Sequence, residues 1–93
     1  MTYAVTKRHK SGPLRGTETH EITGIKFQKG HDYGDYICTE CKELNEDSTV
    51  QIMAFRPYPN YGTAFASGTL EYIRKVKKAW VSAGYYNIHM WAD

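Results

Sequence analysis

Nowhere in the 93 residues does an apolar run approach the roughly 20 residues of a membrane span. The N-terminus, MTYAVTKRHK, reaches charge before a signal-length apolar stretch forms, so a soluble, cytoplasmic protein is expected. Cysteine is scarce, and two in a chain without secretory signals read as reduced thiols or metal ligands rather than a structural disulfide. The sequence has no low-complexity tract and no internal repeat, which excludes solenoids and disordered tails. It also has no nucleophile paired with a base, no glycine-rich phosphate loop and no paired His-x-Ser/Thr motif. His20 is followed by Glu-Ile-Thr and His89 by Met-Trp-Ala. No catalytic residue is assigned, no cofactor is implied, and a non-enzymatic protein is expected.

What is present is enough apolar and aromatic side chain for one modest core, expected to be tyrosine-rich, in a single globular domain spanning 1–93. The net charge of +2 hides an uneven distribution: +4 over residues 1–30, −5 over 31–55 and +3 over 56–93. Separate basic and acidic patches follow if the fold keeps those segments apart.

The segment SGTLEYIRKVKKAWVSAG predicts an amphipathic helix over about residues 68–83. Tyr72, Ile73, Val76, Ala79, Trp80 and Ala83 fall in one arc of about a third of its circumference, the width of a core-facing stripe, with Trp80 as the central anchor. Ser67 or Thr69 suits the N-cap, Glu71 the positive first turn, the lysines the negative end, and Gly84 the left-handed residue after the last turn.

The rest reads as short strands. Met1 to Lys10 and Thr17 to Thr23 form a hairpin around the breakers of SGPLRG, and the basic cluster Lys7 to Lys10 is either a solvated sheet edge or a ligand site. Ile25 and Phe27 alternate with polar residues as in another short strand, and Asp35 to Cys41 makes the next. The acidic stretch Glu40 to Asp47 reads as a polar loop. Val50 to Phe55 is the best candidate for a central strand, with Val50, Ile52 and Ala54 on one face. RPYPNYG, residues 56–62, is a stiff proline-flanked loop. A final strand, Tyr85 to Trp91, sets Tyr85, Asn87, His89 and Trp91 against Tyr86, Ile88 and Met90. The sum is an α+β fold: a small antiparallel sheet of about four to six strands, one helix packed across one face, and a last strand after it.

Two constellations carry chemistry. Cys38-Thr-Glu-Cys41 has the spacing with which two thiolates reach one zinc ion, and YICTECKE resembles the first half of a zinc ribbon, although no second cysteine pair follows. His31, seven residues upstream, is the nearest third ligand. The resemblance implies a small zinc-binding, nucleic-acid-binding domain. The favoured reading has no metal and rests on a partner-binding surface: Arg56, Tyr58 and Tyr61 on the stiff loop, with Arg74, Lys75, Lys77 and Lys78 on the helix. Tyrosine and arginine concentrate binding energy at interfaces. Glu71 pairs with Arg74 or Lys75 at helical spacing, which leaves Lys77 and Lys78 for a partner. The expected partner is a protein or ribonucleoprotein complex, with nucleic acid also open, and the expected role an inhibitor or modulator of the phage or mobile-element type.

Overall fold

A computed structural model describes residues 1–92. Among them are six strands and one helix: β1 (Thr2–His9), β2 (Glu18–Thr23), β3 (Tyr36–Leu44), β4 (Thr49–Arg56), β5 (Gly62–Thr69), α1 (Leu70–Ser82) and β6 (Tyr86–Ala92). The α+β class is as expected, with the strands divided between two three-stranded antiparallel sheets of order β2-β1-β3 and β5-β4-β6. The chain divides at the same place into two compact units, Met1–Leu44 and Asn45–Asp93. No helix among the described residues is long and apolar enough to cross a membrane.

In the first unit β1 is the middle strand, so the basic cluster that ends it does not lie on a sheet edge. Its apolar centre is Val5, Cys38 and Leu44. Ile25 and Phe27 belong to no strand. Phe27 is instead held in an aromatic group, edge-on to Tyr33 at 5.3 Å and to Tyr36 at 6.2 Å. Strand β3 runs on to Leu44, so Glu40 and Glu43 stand in a ladder rather than in the expected loop, and only Glu46 and Asp47 lie in the turn before β4. Between Thr6 and Lys7 the register slips by one residue: Thr6 faces Glu40 and Lys7 faces Cys38, leaving Thr39 as a bulge.

In the second unit β4 is central, as its alternation predicts, and Val50, Ile52 and Ala54 are buried beneath α1. Strand β5, GTAFASGT, has no strong strand signal of its own. Its inward residues Ala64, Ala66 and Gly68 face Ala54, Ile52 and Val50, and their small size lets the helix approach. At Gly68 an added Cβ would lie 2.9 Å from the Tyr72 ring. Thr69 caps α1, its Oγ1 accepting from the Tyr72 N–H at 3.2 Å.

The buried stripe of α1 is narrower than its periodicity predicts. Leu70 and Ile73 are fully buried, Val76 and Trp80 half-buried, and Tyr72, Ala79 and Ala83 exposed. The helix packs mainly on β4 and β5, and its two buried residues, Leu70 and Ile73, lie in its first turns. Nor is the core tyrosine-rich: no tyrosine is among the buried residues of the described chain. Aliphatic side chains and Cys38 fill the interior instead.

Candidate functional site

The β4–β5 connection and the end of α1 form one site within the second unit. Arg56 closes β4 and Gly62 opens β5, so Pro57 to Tyr61 make a tight hairpin loop, with the Asn60 N–H donating to the Pro57 carbonyl at 3.1 Å and a cis peptide bond at Tyr58-Pro59. Two prolines leave this loop few conformations. Tyr58 and Tyr61 stand out from it, 78% and 67% exposed, with ring centroids 6.0 Å apart in an edge-to-face pair.

The helix end is built to meet the loop. Gly84, at φ +87°, occupies the left-handed position after the Ala83 C-cap; its N–H donates to the Val81 carbonyl and the Tyr85 N–H reaches back to the Trp80 carbonyl at 3.0 Å. This is the paired hydrogen-bond pattern that usually brings a hydrophobic contact between the residues at its two ends. Here those residues are Trp80 and Tyr85, whose rings stack at 5.2 Å and 19°. Trp80 therefore serves as the staple of the helix C-terminus and fixes Tyr85.

Between loop and helix end lies a cleft of about 660 Å³ lined by Arg56, Pro57, Tyr58, Asn60, Ala83 and Tyr85. Among the described residues lining it, Arg56 alone is charged. Gly62 gives the guanidinium room, since a Cβ there would stand 3.3 Å from Arg56 Nη1.

The helix cations fall into two groups. Arg74 donates to Glu46 at 2.6 Å, and Lys75 lies 3.9 Å from Glu71. Lys77 and Lys78 have no ion pair among the described residues, and they stop short of the last helical turn, which holds no basic residue. Lys77 follows Leu70 by seven residues, on the same side of the helix, yet it is exposed. From Lys78 to Ala83 at the cleft is about 8 Å along the helix axis.

The cysteine pair is differently placed from a zinc knuckle. Both residues lie in β3, and the Thr39 bulge turns them to one face, Cys38 opposite Lys7 and Cys41 opposite Val5. Cys38 is buried and its thiol donates to the Glu40 carbonyl at 3.3 Å. Burial raises its pKa above the ordinary thiol value. The His31 ring packs against Tyr33 at 4.5 Å, and no cluster of three or more His, Cys, Asp or Glu among the described residues is placed to hold a metal ion.

One arrangement in the first unit has no counterpart in the sequence patterns. Lys7 Nζ lies 2.5 Å from Glu21 and sits over the rings of Tyr36 and Phe27 at 4.4 and 4.8 Å. Burial works against the ammonium, but the hydrogen bond and charge of Glu21, with Tyr36, outweigh it and raise the pKa. Of the basic cluster, Lys7 is thus paired with Glu21, His9 Nε2 lies 2.8 Å from Thr19 Oγ1, and Lys10 pairs with Asp32 at 2.5 Å. The two lysine charges are engaged within the chain.

Comparison with protein-family models, with curated proteins and with solved structures finds no match to this chain.

Proposed function

We propose that the chain is a non-enzymatic binding protein that docks on an acidic protein surface through Arg56, Tyr58 and Tyr61, with Lys77 and Lys78 flanking the contact, and acts by occupying that surface. The observation that carries the reading is the pair Tyr58 and Tyr61: two largely exposed aromatic side chains on a stiff loop, beside a cleft whose one charge is a guanidinium. Exposed rings held in place lose little conformational freedom on binding, and tyrosine with arginine is the usual composition of an interface anchor. Lys77 and Lys78 have no described partner within the chain and supply the long-range attraction.

The test is capture of the partner from a native host lysate with the parent and two variant sets. The parent retains the partner after nuclease treatment. Tyr58→Ala with Tyr61→Ala loses it through faster dissociation, and Lys77→Glu with Lys78→Glu through slower association that falls further as salt is raised. A partner that disappears on nuclease treatment, or binds all variants as well as the parent, overturns the reading.

A further inference from the structure

The outward face of the second sheet is aromatic where an antiparallel sheet ordinarily turns polar residues to water. Cross-strand register sets Met53 between Phe65 and His89, and Phe55 beside Tyr86. A bulge in β6 assembles this face. Met53 faces His89 while Phe55 faces Tyr86, so Asn87, at φ +53°, and Ile88 together oppose Ala54, and Tyr86 shares the side of His89 and Trp91. Phe55 lies 5.6 Å from Tyr86, Phe65 6.1 Å from Trp91, and His89 stacks on Trp91 at 5.5 Å. The expected alternation of β6 put Tyr86 on the opposite side, and the bulge corrects it.

Among the described residues the face carries no Asp, Glu, Lys or Arg: those between its rings are Gln51, Thr63 and Ser67. That composition decides the occupant. An anionic or cationic partner gains nothing from an uncharged surface, whereas a copy of the same surface meets it without like-charge repulsion. Phe65, Tyr86 and Phe55 are 60%, 47% and 39% exposed. With about 200 Å² per ring they offer roughly 300 Å² on each copy, or about 600 Å² across two. The intervening side chains bring the total near the roughly 1,000 Å² at which a specific interface begins. We propose that this face is a self-association surface on which two copies pack sheet to sheet, forming a dimer that dissociates on dilution.

The experiment measures the mass of the full chain by sedimentation across a wide concentration range. The parent should rise from 10.7 kDa toward twice that value as concentration increases. Phe65→Glu should remain at the monomer mass and Phe65→Tyr should behave as the parent, each checked for fold by far-UV circular dichroism. Ser67→Glu and Ser67→Lys alter charge without removing a ring. Each alone should weaken association by about tenfold or more, and an equimolar mixture of the two should restore it. A parent that stays monomeric at the highest concentration overturns the proposal, as does a Phe65→Glu variant that associates like the parent. Association abolished by Tyr58→Ala with Tyr61→Ala would place the contact at the cleft and overturn it too. A monomeric parent that binds a labelled single-stranded oligonucleotide in a Phe65-dependent way would give the face to stacked bases instead.

Discussion

Replacing Ile73 with alanine tests the fold at the point on which the site depends. Ile73 is fully buried on the inner side of α1 and, with Leu70, is one of the helix's two buried residues. The substitution removes three carbons; transfer alone accounts for about 2.4 kcal/mol at about 0.8 kcal/mol each, and the residual cavity adds to it. Alanine's better helix propensity returns a few tenths of a kcal/mol. The expected loss is about 2 to 4 kcal/mol, a large share of the roughly 5 kcal/mol available to so small a structure. Near the midpoint, that lowers the melting temperature by about 10 to 25 °C. Both tryptophans, Trp80 and Trp91, lie in the second unit, so their emission in a urea or thermal titration follows that unit specifically. Val81→Ala is the control on the same helix, at an exposed position where the change should stay within about 0.5 kcal/mol. A loss below about 1 kcal/mol for Ile73→Ala, or equal losses for the two variants, would refute the claim that the first turns anchor the helix.

Gly84→Ala should destabilise by about 1 to 2 kcal/mol, because its φ of +87° is left-handed, and Gly84→Asn should lose less; equal stability of all three proteins would count against the cap. An alkylating reagent should modify Cys41 in the native protein and Cys38 only after unfolding, read by mass spectrometry of digested peptides; equal native rates would contradict the burial of Cys38. The same preparation should keep its circular dichroism spectrum in a strong chelator, whereas a zinc-held β3 would unfold. The raised pKa of Lys7 means that its contribution to stability is complete below the ordinary value of 10.5 and is lost as pH climbs through the higher folded-state value. Stability of Lys7→Met should therefore fall less steeply than the parent's in that alkaline range, and identical slopes would show that the Glu21 pair contributes nothing.

How much of this was legible in the sequence depended on whether the determining contacts were local. Thr69 and Gly84 declare the helix ends through hydrogen bonds within five residues, and Val50, Ile52 and Ala54 declare the central strand by their own alternation. Strand β5 has no strand signal of its own because its small residues carry little propensity; it is a strand because β4 pairs with it along its whole length. The narrow stripe of α1 is invisible to periodicity for a related reason: periodicity shows which residues share a side, while the width of the sheet beneath decides how many are covered. Phe27 reads as a strand residue by spacing, but Tyr33 and Tyr36 from the following stretch and Lys7 from β1 hold it in a loop, and Lys7 is 20 residues away in the sequence. Among the proposed site residues, Arg56, Tyr58 and Tyr61 were visible as a proline-framed loop. Nothing in their spacing showed that Tyr85 and the helix end complete the cleft.

The bulge at Thr39 changes what the Cys-x-x-Cys spacing stands for. On a regular strand, positions three apart point to opposite sides and positions two apart to the same side. Cys38 and Cys41 share a side because one inserted residue separates what would otherwise be alternate neighbours. Geometrically the pair is a Cys-x-Cys with one bulged residue added: the same strand without Thr39 would present both thiols in the same places, opposite Lys7 and Val5, with no metal-knuckle spacing. Tyr86 and His89 stand in the same relation across the insertion at Asn87. On both strands, then, a three-residue spacing marks a bulge and a shared face rather than a turn built around a ligand.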